Sequence, residues 1–259
     1  MDTDYLKLSG KRCLITGSSQ GIGAAVARLF GSAGMHVAVH YREQEKLARE
    51  TASSVEQAGG KSTVIRQDLF EPEGGRLVVE KAIEALGGLD ILVNNAGSIL
   101  ERRPITDFDA EFIEKIITLN IRATVLASQT AASHFIEGNM AGNIINTSST
   151  GARNGGGRGV TLYAASKGFI NTFTRGLAQE LVSHNIRVNA VSPGVTMTHL
   201  QGPEFTPPEY LKDVEKLIPM GHIASPEECA GAYLFLAAEP LSGYITGQII
   251  EVNGGTFSP

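Results

Sequence analysis

The sequence is poor in the residues that mark several specialised classes of protein. It has no tryptophan, only two cysteines and six histidines among its 259 residues. Cys13 and Cys229 form no C-x-x-C pair, so neither a redox motif nor a zinc motif is indicated. The histidines also lack the spacing of metal ligands. We therefore expect two reduced thiols and no bound metal.

Neither the charge nor the hydropathy pattern favours a polyanionic or membrane partner. The net charge of −5 gives no general attraction to nucleic acid or to an anionic membrane. No apolar run approaches the length needed to span a bilayer. The N-terminal residues include Asp2 and Asp4, where a secretory signal would carry bases. These features predict a cytoplasmic protein with no nucleic acid and no membrane as partner.

Short segments rich in β-branched residues alternate with segments of helical periodicity. Such repeated βα units predict an α/β protein with a parallel sheet covered by helices on both faces. Right-handed crossovers then favour a doubly wound seven-stranded parallel sheet of the Rossmann type, here in one domain spanning residues 1–259. The strand patterns cover residues 12–15, 36–40, 62–66, 91–93, 143–147, 187–191 and 248–252, and the helical patterns cover 22–32, 43–58, 73–86, 108–136, 163–183 and 226–238.

One segment, from about residue 195 to residue 224, has neither pattern. It contains four prolines: Pro203, Pro207, Pro208 and Pro219. A long irregular segment inside a compact domain usually covers a binding site. We therefore expect a substrate lid near 195–224.

Tyr163 and Lys167, in the run Tyr-Ala-Ala-Ser-Lys, form a candidate acid–base pair. Four residues apart on a helix, their side chains share one face. A phenol ordinarily loses its proton near pH ~10, and a neighbouring ammonium favours the phenolate and lowers that pKa. This spacing also occurs by chance on amphipathic helices, so the pair acquires meaning only with further motifs.

The first βα turn, Thr16-Gly-Ser-Ser-Gln-Gly-Ile-Gly23, is rich in glycine. Gly17 permits the tight turn after the strand, Gly21 lets the backbone approach a pyrophosphate, and Gly23 lets the helix pack on the sheet. The helix N-terminus offers free N–H groups and the positive end of its dipole to the phosphates. Because this loop follows a strand and opens a helix, it predicts dinucleotide binding.

Several motifs together resemble those of the short-chain dehydrogenase/reductase family. They are Gly17-x-x-x-Gly21-x-Gly23, Asn94-Asn-Ala-Gly97, Asn120, Ser149, Tyr163-x-x-x-Lys167 and Pro193-Gly194, and the resemblance extends from about residue 7 to residue 255. It implies an NAD(P)-dependent oxidoreductase that transfers a hydride between the nicotinamide and a small-molecule carbonyl or secondary alcohol. Within this family, the sequence is similar to 3-oxoacyl reductases and to sugar and alcohol dehydrogenases.

The resemblance implies a role for each catalytic candidate. Tyr163 would act as general acid or base, and Lys167 would lower the pKa of the phenol and bind the nicotinamide ribose. Ser149 would hydrogen-bond the substrate oxygen, with Ser148 as its rival. Asn120 would hold a water that links Lys167 to solvent, although a polar residue at a helix kink would look the same.

The resemblance also implies a set of cofactor contacts around these residues. The end of the second strand decides between the nicotinamide cofactors, because an NAD site usually carries an acid there to bind the ribose 2′-hydroxyl. Tyr41 stands in that position and Arg42, which can grip a phosphate, follows it. NADP(H) is therefore favoured and NAD(H) is possible. Ser18 or Ser19 could assist, whereas Gln20 stands where NADP enzymes often carry a second base. The expected contacts are Gly17, Ser19, Gln20, Gly21, Ile22, Gly23, Tyr41, Arg42, Asp68, Leu69, Asn95, Ala96, Gly97, Tyr163, Lys167, Pro193, Gly194, Thr196 and Thr198.

Three further expectations concern partners and alternatives. An acyl-carrier-protein substrate would suit Arg102, Arg103, Arg153 and Arg158, but Gln179 stands where such reductases often have arginine. A non-catalytic dinucleotide sensor is disfavoured because Ser149, Tyr163 and Lys167 are all present. The resemblance implies a homotetramer, with which the apolar sets Ile113/Ile116/Ile117 and Phe169/Phe173 are compatible.

Overall fold

The structure, a computed structural model that describes residues 3–199 and 208–257, is built around one parallel sheet. Its seven strands are β1 (Arg12–Ile15), β2 (His36–Tyr41), β3 (Lys61–Arg66), β4 (Ile91–Asn94), β5 (Gly142–Thr147), β6 (Ile186–Pro193) and β7 (Ile249–Val252). Their order in the sheet is β3-β2-β1-β4-β5-β6-β7, so the strand order reverses between β1 and β4. Ligands of doubly wound sheets bind at the carboxyl ends of the strands near such a reversal.

Helices cover both faces of the sheet and bury two apolar cores. Helix α1 (Gly21–Ser32), α2 (Glu45–Gln57) and α9 (Pro226–Ala237) pack on one face, where Phe30 and Tyr233 are fully buried. Helix α3 (Gly74–Leu86), α5 (Ala123–Glu137) and α7 (Thr161–Leu181) pack on the other, around Phe135. The remaining helices are α4 (Ala110–Ile117), α6 (Gly151–Asn154), α8 (Pro208–Leu217) and α10 (Glu239–Ser242). The expected doubly wound α/β fold is confirmed.

The long helix predicted over 108–136 is the main difference from the sequence-based expectation. Asp109 caps α4 by accepting a hydrogen bond from the Phe112 N–H, so the helix starts two residues later than predicted. The five residues Thr118–Arg122 then form a π-helical turn between α4 and α5. A π turn inserts one extra residue between hydrogen-bonded groups, and such turns often lie at functional sites. Periodicity did not reveal it, because apolar residues continue on both sides of the turn.

The two ends of segment 195–224, where a lid is expected, are hydrogen-bonded to each other. Thr196 and Ala224 form a parallel β-bridge, with hydrogen bonds from Met197 N to Ala224 O (2.8 Å) and from Ala224 N to Val195 O (3.2 Å). Residues 200–207 lie outside the described part of the chain. Helix α8 lies within the second half of the segment, and the Met220 N–H beyond it donates to Gly254 O at 3.0 Å.

Three expectations about absences concern the described ranges 3–199 and 208–257. No helix there is long and apolar enough to cross a membrane. No cluster of three potential metal-ligating side chains is present in them. Cys13 and Cys229 are both buried and free of disulfides.

Candidate active site

The four catalytic candidates come from elements that meet at the carboxyl edge of the sheet. Ser149 follows β5, Asn120 lies in the π turn, and Tyr163 and Lys167 lie in the first turns of α7. The structure therefore brings together residues separated by up to 47 positions in sequence.

Lys167 is buried, with 4% of its surface exposed. Its ammonium donates to the main-chain carbonyl of Thr147, at the end of β5, over 2.7 Å. Burial lowers the pKa of Lys167 to about 8. The group is therefore largely charged at neutral pH and loses its charge in mildly alkaline solution.

The Ser149 hydroxyl lies beside the phenol of Tyr163. Burial raises the pKa of Tyr163, and the neighbouring Ser149 hydroxyl lowers it without outweighing the effect of burial. Lys167 Nζ lies 5.7 Å from the centroid of the phenol ring. The phenol pKa is therefore raised by desolvation and not lowered as expected from the neighbouring Lys167. The Tyr163 phenol is neutral at pH 7.

Ser148 and Ser149 have different surroundings, which separates the two rivals. The Ser148 hydroxyl is buried and donates to Asn171 Oδ1 at 2.6 Å, within α7. Ser149 is partly exposed and faces Tyr163, and its Oγ also accepts the Gly151 N–H at 3.0 Å. The side chain that can meet a substrate is therefore that of Ser149.

Asn120 is almost fully buried and holds the chain that follows β4. Its Oδ1 accepts the Ser98 N–H and its Nδ2 donates to Ser98 O, each at 3.0 Å. Gly97 lies between this amide and Lys167: a Cβ on Gly97 would lie 2.9 Å from Asn120 Oδ1 and 3.2 Å from Lys167 Nζ. The three residues are thus in close contact, and only glycine fits between the two side chains.

The glycine loop has the shape expected of a phosphate cradle. Gly17 and Gly21 have φ values of +63° and +59°, which favour glycine. A Cβ on Gly23 would lie 2.5 Å from Gly17 O, so this residue allows α1 to pack against the loop. Gln20, the N-cap residue, makes no side-chain capping hydrogen bond. The N-terminus of α1 therefore keeps N–H groups that suit a pyrophosphate, and the fit to a dinucleotide is good.

Asn94, Asn95 and Ala96 hold the strand ends rather than projecting side chains into the cleft. Asn95 Nδ2 donates to Thr16 O and to Gly17 O, both at 3.0 Å. Asn94 Nδ2 donates to Asn146 Oδ1 at 2.9 Å and is buried in the sheet. The Asn94 side chain therefore links neighbouring strands of the sheet.

At the end of β2, Arg42 is the exposed residue and Tyr41 is not. Tyr41 is 8% exposed and packs in the apolar core. The Arg42 guanidinium lies 5.3 Å from the centroid of the Phe70 ring and 3.2 Å from Glu43 Oε1. Ser18 is fully buried, with its hydroxyl donating to Ile15 O at 2.7 Å. Of the two serines considered for a 2′-phosphate, only Ser19 is accessible.

After β3, Asp68 and Leu69 begin the expected adenine side of the cleft. Asp68 Oδ1 accepts the Phe70 N–H at 2.8 Å, which fixes the turn. Leu69 is buried on the face of the sheet that carries Phe135. Ile22, in the first turn of α1, packs partly buried against the opposite core.

At the start of the lid, Pro193 ends β6 and Gly194 follows it. A Cβ on Gly194 would lie 2.9 Å from Asn253 Cα, so the close approach requires glycine. Thr196 is buried and its hydroxyl donates to Gly194 O at 3.2 Å. The Thr198 methyl would lie 3.4 Å from a Cβ on Gly21, so Thr198 lies close to the glycine loop.

Two buried residues beside the site were not identified from sequence. The Tyr233 hydroxyl pairs with Thr147 Oγ1 at 2.8 Å, next to the carbonyl that holds Lys167. His40 in β2 bonds the glycine loop: the Gly17 N–H donates to its Nδ1 at 2.8 Å. In the sequence, His40 could have been noticed only as a polar residue in an otherwise apolar strand, directly before Tyr41 and Arg42.

Comparisons with known proteins agree with this geometry. A family model described as "Enoyl-(Acyl carrier protein) reductase" matches residues 17–256. The chain is 38% identical to 3beta-hydroxysteroid dehydrogenase 1 of Eggerthella lenta over 255 residues, covering 97% of this chain and 95% of that protein.

Two solved structures resemble the whole chain. One is a short-chain dehydrogenase from Burkholderia cenocepacia in complex with NADP, with a TM-score of 0.87, 33% identity and coverage of 96% of this chain and 98% of that one. The other is the NADH-dependent reductase A1-R′ complexed with NAD, with a TM-score of 0.84, 32% identity and coverage of 98% and 100%. The chain belongs to the short-chain dehydrogenase/reductase family of NAD(P)-dependent oxidoreductases.

Proposed function

We propose that this protein reduces the carbonyl group of a small molecule, or oxidises the matching secondary alcohol, with Tyr163 as general acid or base. The observation that carries the proposal is the placement of the Tyr163 and Ser149 hydroxyls side by side near the buried Lys167 ammonium. Two hydroxyl groups that meet at one point can both donate to one substrate oxygen. That is what a carbonyl needs as negative charge develops on its oxygen.

In the proposed reduction, the chain supplies the proton and holds the oxygen. Ser149 donates a hydrogen bond to the carbonyl oxygen, which fixes its position. Tyr163, neutral at pH 7 because burial raises its pKa, transfers its hydroxyl proton to the developing alkoxide. Lys167, charged and 5.7 Å from the ring, stabilises the phenolate that remains. The nicotinamide, when bound, supplies the hydride.

We assign the remaining contacts to the cofactor. The glycine loop and the N-terminus of α1 would hold the pyrophosphate, and Asp68 and Leu69 would line the adenine side. Gly97, Lys167 and the segment from Pro193 to Thr198 would hold the nicotinamide half. Asn120 would keep Ser98 and Gly97 in register beside Lys167 and hold the proton-relay water expected from the resemblance.

NADP(H) is the cofactor that we propose as preferred, with NAD(H) possible. Arg42 is exposed at the end of β2 and can turn from Glu43, 3.2 Å away, to a 2′-phosphate. The Arg66 guanidinium supports it by donating to Arg42 O at 3.3 Å, which brings a second positive charge to this corner. Position 41, where an acidic side chain would repel the 2′-phosphate, is occupied by tyrosine.

A carrier protein is a weaker candidate for the substrate. The Arg103 guanidinium is 2.7 Å from Asp109 Oδ2 and also pairs with Glu101, while Arg153 lies 3.8 Å from Glu251. These ion pairs neutralise much of the basic surface on which an acidic partner would depend. A small molecule under the 195–224 lid is therefore favoured.

We also propose a homotetramer, a cytoplasmic location and a single domain over 1–259. Phe169 and Phe173 stack at 5.6 Å on α7, with Phe169 38% exposed, and Ile117 is 37% exposed. Ile116, by contrast, is 1% exposed and belongs to the core rather than to a subunit contact. Two free thiols suit a reducing compartment. Sedimentation velocity tests the assembly, and a monomer at micromolar concentration would contradict it.

The decisive experiment is a panel of ketones, aldehydes and secondary alcohols, each assayed with NADPH or NADP and with NADH or NAD. We expect turnover at the reduced-nicotinamide absorbance band, with the higher kcat/KM for the phosphorylated cofactor. Tyr163→Phe should reduce kcat by about 10³-fold or more, because it removes the proton donor, with nearly unchanged cofactor affinity. Wild-type turnover by this variant would refute the assignment of the acid.

A further inference from the structure

His40 is a buried histidine that contacts both halves of the predicted nucleotide site. It is 2% exposed, near the end of β2. Its Nδ1 is 2.8 Å from the Gly17 nitrogen, and its Nε2 is 2.9 Å from the main-chain oxygen of Gln67. A carbonyl oxygen only accepts, so Nε2 carries the hydrogen and Nδ1 is the acceptor for the Gly17 N–H. The ring therefore bridges the glycine loop and the residue that precedes Asp68.

The surroundings of His40 keep its ring neutral. Its pKa is lowered to about 4, mainly by burial and to a smaller extent by the charge of Lys81. The Gln67 carbonyl and the charge of Asp68 raise the pKa, but by less than burial lowers it. A neutral ring at pH 7 retains the Nδ1 lone pair that the Gly17 N–H needs.

The main chain of His40 also bonds the loop, but only the ring bonds depend on residue type. The Ser18 N–H donates to His40 O and the His40 N–H donates to Ser18 Oγ, each at 3.0 Å. These bonds could form with another residue at position 40. The link from Gly17 to Gln67 requires an acceptor and a donor in one side chain.

We propose that His40 is a positioning residue for the cofactor, which fixes the phosphate-binding glycine loop relative to the adenine-side segment at Gln67 and Asp68. This proposal rests on the proposed function, since it assumes that the cleft binds a nicotinamide dinucleotide. Gly17 has φ of +63°, which glycine adopts readily, but glycine also loses more conformational entropy than any other residue when it is fixed in one conformation. The ring bond supplies that constraint, so the N–H groups of the loop are already oriented when the pyrophosphate arrives.

Three substitutions separate the two ring bonds. In His40→Asn, the amide oxygen occupies the place of Nδ1 and can accept the Gly17 N–H, while the bond to Gln67 is lost. In His40→Gln, the longer amide reaches Gln67 O, while the acceptor beside Gly17 is lost. His40→Leu removes both. The matched control is His36→Asn, because His36 lies on the same strand and its Nε2 contacts Thr63 Oγ1 at 3.0 Å, at the opposite end of β2 from the cleft.

The measurement is direct titration of the full-length protein with NADPH and with NADH, followed by fluorescence without substrate, alongside the thermal midpoint of each variant. We expect affinity within about threefold of wild type for His40→Asn and His36→Asn. Affinity should be about tenfold or more weaker for His40→Gln and His40→Leu, as a buried N–H without an acceptor costs that much. The kcat at saturating cofactor should change less than the dissociation constant.

Wild-type affinity in His40→Gln and His40→Leu would overturn the proposal. The proposal would also be overturned if the loss of cofactor affinity were proportional to the fall in thermal midpoint in all four variants. The ring would then only stabilise the strand. If the wild-type protein bound a nicotinamide dinucleotide but reduced nothing, only the proposed function would fail. If it bound neither dinucleotide, both would fail.

Discussion

Gly97→Ala tests the contact between the π turn and the acid–base pair. The added methyl would lie 2.9 Å from Asn120 Oδ1 and 3.2 Å from Lys167 Nζ. Neither neighbour is free to move, because Asn120 makes two hydrogen bonds with Ser98 and Lys167 is bonded to Thr147 O at 2.7 Å. The substitution therefore pushes on two held groups at once.

The expected magnitude follows from these distances. An unstrained contact needs roughly 3.5 Å, so Asn120 Oδ1 must retreat by about 0.5 Å. Its 3.0 Å bond to the Ser98 N–H would then lengthen to the limit of a hydrogen bond. Overpacking of this kind costs about 1–3 kcal/mol in the free energy of unfolding. A misplacement of 1 Å can lower catalysis about 100-fold, so half of that should lower kcat about tenfold.

The assay is kcat with the best substrate of the panel, combined with urea unfolding. Gly231→Ala is the matched control, since Gly231 is exposed in α9 and has nothing within 4 Å of an added Cβ. It should keep wild-type kcat and gain about 0.5–1 kcal/mol of stability. A Gly97→Ala variant with wild-type kcat would refute the inference that Asn120 and Lys167 must stay in place for turnover.

Three further predictions follow from the charges. The kcat of carbonyl reduction should fall as pH rises through about 8, because Lys167 loses its proton there while Tyr163, with its raised pKa, stays protonated. A kcat that stays constant from pH 7 to about 9.5 would contradict this. Arg42→Ala should raise KM for NADPH about tenfold and leave KM for NADH unchanged, as steady-state kinetics with both cofactors would show. Asp90→Asn should lower the free energy of unfolding at pH 7 by about 1–2 kcal/mol, because Asp90 accepts hydrogen bonds from the Arg12 side chain at 2.8 and 3.3 Å. Burial alone would raise the pKa of Asp90, but Arg12 and Lys11 outweigh it and lower the pKa, so the stability difference should disappear in urea titrations as pH falls through the folded-state pKa.

The sheet was predictable from sequence because its strands have simple chemistry. Strands buried on both faces read as short apolar runs, and the predicted strand over 12–15 agrees with β1 at both ends. The grouping of Ser149, Tyr163 and Lys167 could be predicted because their residue types and intervals are specific, and the structure brings them close together. The π turn could not be predicted, since one extra residue within a helix leaves the apolar periodicity on either side intact.

Properties that depend on burial could not be predicted from the sequence either. The spacing of Tyr163 and Lys167 predicted a lowered phenol pKa, whereas desolvation raises it. Ser18 and Ser19 are equivalent as letters, yet one is fully buried and the other accessible. The sequence did not predict a role for His40, because its ring bonds main-chain atoms that no side-chain motif records.

The pairing of the two ends of segment 195–224 bears on how the protein could be re-engineered. Because Thr196 and Ala224 are paired with each other, the segment between them begins and ends at neighbouring points. The intervening residues can then differ in length or composition at small entropic cost, without a change in strand register. Under the substrate-lid role that we propose for this segment, grafting it from one reductase to another would alter the choice of carbonyl while Tyr163 and the glycine loop stay where they are.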